Sequence, residues 1–201
     1  CGASLELKRS MPTPTIADFP SVRRTTVDLI STLAPEDCLV QAMPDVSPPK
    51  WHLAHTTWFL ETFVLGPHVA GYTSFDDRYG FLFNSYYEAV GPRQPRPERH
   101  VLSRPTLAEV LAYRSHVDER VCAALGGLSD EARALLLLAI HHEQQHQELL
   151  VMDVKYNLSK NPLLPVYRPR AAPRAGGEPA APIRFVGLDA GAVEVGHAGD
   201  W

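Results

Sequence analysis

The sequence is poor in cysteine, has no excess of positive charge and contains no long apolar run, and each absence excludes a class of protein. Its three cysteines, Cys1, Cys38 and Cys122, are odd in number and widely spaced, which argues against a disulfide framework. A formal net charge of −4 gives no basic surface for nucleic acid. No apolar run reaches the length of a bilayer-spanning helix. We therefore expect a cytoplasmic protein that binds neither nucleic acid nor a membrane.

The longest periodic stretch, at residues 129–157, predicts one amphipathic helix. Ser129 suits the N-cap, acidic residues follow in the first turn, and the next proline is Pro162. Spacings of three and four residues predict a buried seam that consists of Leu135, Ala139, His142, His146, Leu149 and Asp153. Two histidines therefore occupy positions where leucine is expected.

His142 and His146 are four residues apart, so their rings lie one turn apart on the same face and can reach a single ion. Buried imidazoles without partners are costly, so each needs a metal or a hydrogen-bond partner. The alternative is a pair of core histidines bonded to neighbouring side chains. For a pair on the seam of a helix, we favour the metal.

A second predicted helix carries the third histidine candidate. It begins at Ser47, which two prolines follow, and ends at a Gly-Pro pair at positions 66 and 67. One face of it consists of Trp51, His55, Trp58, Thr62 and Leu65. Antiparallel packing can bring His55 to the pair. His52 is the competing candidate and is predicted to lie at the rim, while Asp153 is a further conceivable ligand.

The stretch from His142 to His146 also matches the pattern His-Glu-x-x-His of zinc peptidases, in which the glutamate, here Glu143, is the general base. Three histidine ligands carry no charge and leave positions open on the ion. With zinc such a site generates hydroxide, and with iron(II) it leaves room for dioxygen and a substrate together. The ligand types alone do not choose between these metals.

Two further helices, at about 20–34 and 106–125, complete the predicted fold, a mainly α, antiparallel four-helix bundle over residues 18–160. Residues 1–17 are interpreted as an N-terminal extension, of which 1–10 are not necessarily native because a chain rarely begins at cysteine. Six prolines mark residues 161–182 as a linker. Two short strands, at 183–187 and 192–196, predict the start of an incomplete α+β domain at 183–201.

The segment 66–105 is too long for a simple turn between helices, and long ordered loops are usually functional. Arg93 and Arg96 lie between prolines in this segment and could clamp a substrate carboxylate through bidentate contacts. On spacing alone, a solvated basic loop is the more plausible interpretation of these arginines.

Three separated motifs together resemble the sulfoxide synthases of ergothioneine biosynthesis over about residues 18–157. The motifs are WHLAHTTW at 51–58, the loop at 84–96 and HEQQHQE at 142–148. Members of that family pair an N-terminal, DinB-like four-helix bundle with a C-terminal domain that resembles the formylglycine-generating enzyme. Residues 185–196 are similar to the first strands of that second domain.

The resemblance implies non-haem iron(II) as the cofactor, with ligands at His55, His142 and His146. It also implies that Arg93 and Arg96 hold the carboxylate of a thiol substrate and that Gln145 makes a polar contact to substrate. Glu143 would then be structural or would support a ligand, rather than being a peptidase base. A catalytic tyrosine is expected in the second domain and has no assigned position in this sequence.

The implied reaction joins a thiol sulfur, from cysteine or γ-glutamylcysteine, to C2 of the imidazole of Nα-trimethylhistidine, and it uses dioxygen to form a sulfoxide. The partners are therefore small molecules. A close alternative is the selenoneine-forming branch, which makes a C–Se bond from a selenosugar. Two other classes stay open: a zinc hydrolase that uses Glu143, and a DinB-like module whose metal is structural or whose role is binding.

Overall fold

The computed structural model describes residues 14–169, 182–185, 187 and 190–192. The chain divides into one compact unit up to Pro169 and a second unit from Arg170. The described part of the first unit contains four helices of 12 residues or more: α1 Phe19–Ile30, α2 Pro49–Leu60, α3 Leu107–Ala124 and α4 Asp130–Ser159. The prediction of a mainly helical chain is confirmed.

Local capping explains where α3 and α4 begin. Thr106 and Glu109 form a reciprocal capping box, in which the Glu109 amide donates to Thr106 Oγ1 at 3.2 Å and the Thr106 amide donates to Glu109 Oε2 at 2.6 Å. At the start of α4, Ser129 Oγ accepts from the Ala132 amide at 3.2 Å. Both helix starts therefore lie where the sequence predicts them.

Helix α2 does not end at the predicted Gly-Pro pair. A π-helical turn, Glu61–Leu65, and a short helix, Gly66–His68, continue it. The proline is tolerated because it lies in the first turn of the short helix, where its missing amide hydrogen is not needed. The buried Glu61 carboxylate anchors the following segment, since it accepts from the Tyr72 hydroxyl at 2.6 Å and from the Tyr113 hydroxyl at 2.5 Å.

Helix α2 is the centre of the helical unit. It packs against both α3 and α4, while α1 packs against α4. All 12 of its residues are buried, including both histidines, so polar side chains on α2 need partners inside the protein. Its Leu53 and Trp58 belong to a core that also includes Val117 and Leu136, and each such side chain stabilises the fold by about 1.5–3 kcal/mol. The four-helix bundle topology stays a prediction.

The buried face of α4 differs from the predicted seam. It includes Ala132, Leu136, Ala139, Ile140, Glu143, His146, Leu150 and Asp153. Leu135, His142 and Leu149, which were expected at its centre, are only half-buried. The helix is rotated about its axis relative to the prediction because Glu143 points inward, where it meets charged partners that come from other helices.

The predictions for the two ends of the chain are only partly covered by the described residues. The described residues of the predicted linker, 161–169, form turns and irregular backbone. Of the two predicted strands, residues 183–185, 187 and 192 are described and are not in strands, while the rest lies outside the described residues. Most of the predicted N-terminal extension, residues 1–13, also lies outside them. Within the described part of the chain, no helix has the length and hydrophobicity needed to cross a bilayer.

The capping box gives a first testable prediction. Thr106→Ala removes the acceptor for the Glu109 amide, so the free energy of unfolding should fall by about 1 kcal/mol. Urea denaturation followed by circular dichroism measures this change. Thr25→Ala, at an exposed position of helix α1, is the control and should stay within about 0.5 kcal/mol of the parent. Equal effects of the two substitutions would contradict the capping role.

Candidate metal centre

Three histidines from two helices meet at one point. His55 comes from α2, and His142 and His146 come from α4; one ring nitrogen of each lies within 4.8 Å of those of the other two. The ring centroids are 5.1 Å apart for His55 and His142, 4.8 Å for His55 and His146, and 4.5 Å for His142 and His146. The predicted meeting of these side chains is confirmed, and the metal between them stays a prediction.

Neighbouring groups fix the orientation of His55. Its Nδ1 donates to the Phe83 carbonyl at 2.6 Å. The ring stacks on Trp51 at a centroid distance of 4.5 Å and an interplanar angle of 10°, and Trp58 lies 5.5 Å away on a similar plane. Because a carbonyl only accepts, the Nδ1 of His55 carries the hydrogen and its Nε2 keeps a lone pair for an ion.

His52 is not at the rim, and that prediction is wrong. Its side chain is only 2% exposed. One ring nitrogen, Nδ1, lies 2.9 Å from Nδ1 of His146, and the other, Nε2, lies 3.0 Å from Asp153 Oδ2. Asp153 also accepts from the Ser47 amide at 2.8 Å. His52 and Asp153 are thus partners of a candidate ligand rather than members of the converging group.

His142 presents an unsatisfied nitrogen. Its Nδ1 is buried and has no hydrogen-bond partner within the described part of the protein. A buried polar atom without a partner costs about 1–3 kcal/mol, and metal coordination is one way to satisfy an imidazole nitrogen. The donor set therefore fits a transition metal ion such as zinc or iron(II), both of which imidazole suits.

Burial keeps all three rings neutral near pH 7. The pKa of His146 is lowered far below its ordinary value, first by burial and then by the neighbouring histidines. Burial lowers the pKa of His142 to about 4 and that of His55 well below its usual range. A neutral imidazole offers a lone pair, so the cluster is ready to bind a cation without first releasing protons.

Glu143 is held by two arginines of other helices. Its carboxylate forms ion pairs with Arg114 and, at 2.9 Å, with Arg23, and it also accepts from Thr26. Burial by itself raises the Glu143 pKa, but Arg114 and Arg23 outweigh it and lower this pKa to about 2. A general base must reach the proton that it removes, whereas both carboxylate oxygens of Glu143 are already used by these partners.

A cavity of about 280 Å³ opens in front of the cluster. All three histidines line this cavity, and so do Gln145 and Arg96, for which the family resemblance implies contacts to substrate. Arg93 is placed elsewhere: its guanidinium lies 5.2 Å from the Tyr86 ring centroid and 3.8 Å from Glu88 Oε1. Of the two arginines that were predicted to bind a substrate carboxylate, the structure brings only Arg96 to the cavity.

Arg99 is a cavity residue that the sequence analysis missed. It is buried, donates to Ser47 Oγ at 2.8 Å and to Ser85 Oγ at 3.3 Å, and lies 3.3 Å from the Trp51 ring centroid. Burial, and then the charge of Arg96, lowers its pKa to about 9, so it remains a cation near pH 7. The available signal was the three-residue spacing from Arg96, because side chains at that spacing eclipse each other in a 3₁₀ helix such as Arg96–Val101.

Comparison with protein families matches residues 19–150 to the DinB superfamily. The chain belongs to that superfamily. The matched range contains His55, His142 and His146, and domains of this superfamily often bind metal. A search of curated proteins finds no match to the chain. The DinB assignment agrees with the helical unit and with a three-histidine site, and it does not specify an activity.

The ion pairs of this DinB domain predict a large effect for Glu143→Gln. Removing the charge takes away the carboxylate that pairs with the buried Arg114 and leaves Arg23 with Asp118 alone, so the free energy of unfolding at pH 7 should fall by about 3 kcal/mol or more. The folded-state pKa of about 2 lies below the ordinary value, so this contribution is complete above the unfolded-state pKa and is lost as the pH falls towards 2. The difference between parent and variant should therefore shrink in that window.

Chemical denaturation at several pH values from 7 down to 2.5 measures this difference. Glu148→Gln is the matched control, since it makes the same change on an exposed site of the same helix. It should change stability by less than about 0.5 kcal/mol. A difference between parent and Glu143→Gln that is independent of pH would contradict the ionised state of Glu143.

Proposed function

We propose that this DinB domain binds iron(II) through His55, His142 and His146 and that it forms a C–S bond oxidatively. In this proposal a thiol donor, cysteine or γ-glutamylcysteine, is joined to C2 of the imidazole of Nα-trimethylhistidine with dioxygen, which gives a sulfoxide as in ergothioneine biosynthesis. The observation that carries it is the convergence of three neutral imidazoles at the wall of an open cavity. The three sequence motifs supply the identity of the substrates.

An open coordination shell supports a catalytic rather than a structural ion. Iron(II) bound by three uncharged ligands would supply redox chemistry with dioxygen and would keep positions free for substrate atoms. His52 is the nearest further histidine, but its two nitrogens are used by His146 and Asp153. Structural metal sites are usually closed by four protein ligands, and the converging group in the described residues has three.

The cationic wall of the cavity supports a donor that carries a carboxylate. The Nε atoms of Arg96 and Arg99 are buried and have no hydrogen-bond acceptor within the described residues. Arginine binds carboxylates through paired N–H donors. Cysteine and γ-glutamylcysteine have such carboxylates. The selenosugar of the alternative, selenoneine-forming reaction has none, so it would leave these arginine donors unused.

A second cavity provides space for a second substrate. It measures about 720 Å³, is mainly apolar, and is lined by Phe59, Phe63 and Tyr87 together with His142 and Gln145. His142, Gln145 and Tyr87 also line the cationic cavity. Two reactants that enter from these two sides would meet at His142, which brings the reacting atoms close together, and proximity is a major source of rate enhancement. An imidazole ring suits the aromatic side.

The zinc hydrolase alternative has less support. It needs the Glu143 carboxylate close to a water on the ion, and this carboxylate is instead bound by Arg23 and Arg114. The two interpretations also differ in their requirements, because a hydrolase works without oxygen and with zinc. A test should therefore vary the metal and the gas phase independently.

The reaction can be tested with protein purified without oxygen and loaded with iron(II) or zinc. Nα-trimethylhistidine is mixed with cysteine, γ-glutamylcysteine or a selenosugar, in air or under nitrogen, and products are identified by mass spectrometry. We expect the sulfoxide only with iron, air and a thiol. A selenium product would favour the selenoneine branch, while oxygen-independent hydrolysis with zinc would overturn the proposal. Iron binding without any product would overturn the reaction for this chain.

His146→Ala should abolish both iron retention and sulfoxide formation, because two imidazoles do not hold a divalent ion as three do. Iron content after gel filtration, measured by elemental analysis, and product yield are the two readouts. His100→Ala, at an exposed histidine outside the cluster, should retain both. Full iron retention by His146→Ala would contradict the ligand set.

The two loop arginines should differ in their effect on the thiol. Arg96→Gln removes a charge from the cavity wall, so the KM for cysteine should rise by about 10-fold, which corresponds to one charged hydrogen bond. Arg93→Gln makes the same change outside the cavity and should alter KM by less than about 2-fold. Steady-state kinetics with a varied cysteine concentration tests both. Equal increases would show that both arginines hold the donor, as the family resemblance implies.

A further inference from the structure

A chain of hydrogen bonds leads away from the cluster through two side chains that have no assigned role. It runs from Nδ1 of His146 to Nδ1 of His52 at 2.9 Å, and from Nε2 of His52 to Oδ2 of Asp153 at 3.0 Å. We propose that His52 and Asp153 are positioning residues that fix the tautomer of His146, so that its Nε2 faces the metal with a free lone pair. The inference rests on the metal centre of the proposed function and deepens it.

The positions of the hydrogens in this hydrogen-bond chain follow from its last member, the Asp153 carboxylate, which can only accept. Asp153 Oδ2 accepts from the Ser47 amide at 2.8 Å, as an ionised carboxylate does. The Nε2 of His52 must therefore carry the hydrogen that it shares with Asp153. A neutral His52 then has a lone pair on Nδ1, so the Nδ1 of His146 must donate to it. A neutral His146 in turn keeps its lone pair on Nε2.

This chain of hydrogen bonds from His146 through His52 to Asp153, called the relay below, also connects the two helices that carry the candidate ligands. It leaves α4 at His146, crosses to His52 on α2 and returns to α4 at Asp153. Asp153 is seven residues after His146, which is two helical turns, and so it lies on the same face. The carboxylate also reaches Ser47 near the N-terminal end of α2, where the helix dipole favours a negative charge. The carboxylate thus contacts both His52 of α2 and Ser47 in the segment just before α2.

His55 shows the same arrangement with a different acceptor. Its Nδ1 donates to the Phe83 carbonyl at 2.6 Å, so its free lone pair is also on Nε2. One ligand from each helix is therefore held in the tautomer that presents Nε2 to the same point. Groups that orient metal-binding histidines in this way typically change metal affinity by about 10–100-fold when they are removed.

Metal affinity gives the first test. Zinc is added to the apo form of the full chain in competition with a chromophoric chelator. Asp153→Ala removes the acceptor at the end of the relay, and its dissociation constant for zinc should rise by about 10–100-fold. Asn157→Ala is the matched control: Asn157 is buried one turn later on α4 and bonds the Ala42 amide and the Val40 carbonyl, outside the relay. It should stay within about 2-fold, as is usual for sites that share no partners.

Nitrogen-15 NMR of histidines in the zinc-loaded parent protein tests the tautomer directly and does not depend on any variant that folds poorly. We expect His146 bound through Nε2 with a hydrogen on Nδ1, and His52 unbound with its hydrogen on Nε2. Coordination of His146 through Nδ1, coordination by His52, or parent-like zinc affinity in Asp153→Ala would overturn the relay. No substrate or oxygen is involved, so failure of the proposed oxidation leaves this result unchanged, and failure of the relay leaves the oxidation to its own assay.

Discussion

The buried ion cluster around Glu143 is the interaction on which the rest of the site depends. Arg114 of α3 and Arg23 of α1 bind the carboxylate of α4, and Arg23 also donates to Thr57 of α2 at 2.9 Å, so all four helices meet there. Removal of two or more charges from water is expensive, and such clusters often contribute little net stability. Their use here is to fix the rotation of α4: with Glu143 turned towards the arginines, His142 and His146 face α2.

Three further contacts orient the rings of His146 on α4 and His55 on α2. The hydrogen bonds through His52 and Asp153 determine which nitrogen of His146 is free, and the Phe83 carbonyl does the same for His55, whose ring plane is held by the stack on Trp51. Charge is also unevenly placed. The cluster is neutral, Arg96 and Arg99 make the cavity wall positive, and Asp153 is engaged with His52 and Ser47. Asp45 also lines the cavity, but the two arginines outnumber it, so an anionic donor would still be attracted to the site.

Features encoded within one helix could be predicted from sequence, and features that depend on distant partners could not. The capping residues Thr106 and Ser129 and the four-residue spacing of His142 and His146 act within a few residues, so pattern reasoning places them correctly. The inward position of Glu143 depends on Arg23, 120 residues away in the chain. The burial of His52 depends likewise on Asp153, 101 residues away.

The arginine loop shows the same division at shorter range. Its prolines indicate a segment with a restricted backbone, but they do not show which side chains face the cavity. That depends on the 3₁₀ helix Arg96–Val101, which aligns Arg96 with Arg99 and leaves Arg93 outside the cavity. A motif match assigns the same substrate-binding role to Arg93 and Arg96, because it compares sequence positions and not the directions in which side chains point. The backbone conformation separates them, since only residues three apart within the same 3₁₀ helix share a side.

The motif His-Glu-x-x-His fixes less than its peptidase association suggests. Helical geometry places its two histidines on one face and sets the glutamate about 100° around the axis from His142. Whether that glutamate can serve an ion then depends on what lies beside it. In this chain two arginines and Thr26 occupy that side and take both carboxylate oxygens. The same five residues that would make a hydrolytic centre in one packing arrangement thus place two candidate ligands beside a glutamate that is bound by arginines in this one. The oxidation that we propose draws on an external oxidant and needs no base from α4.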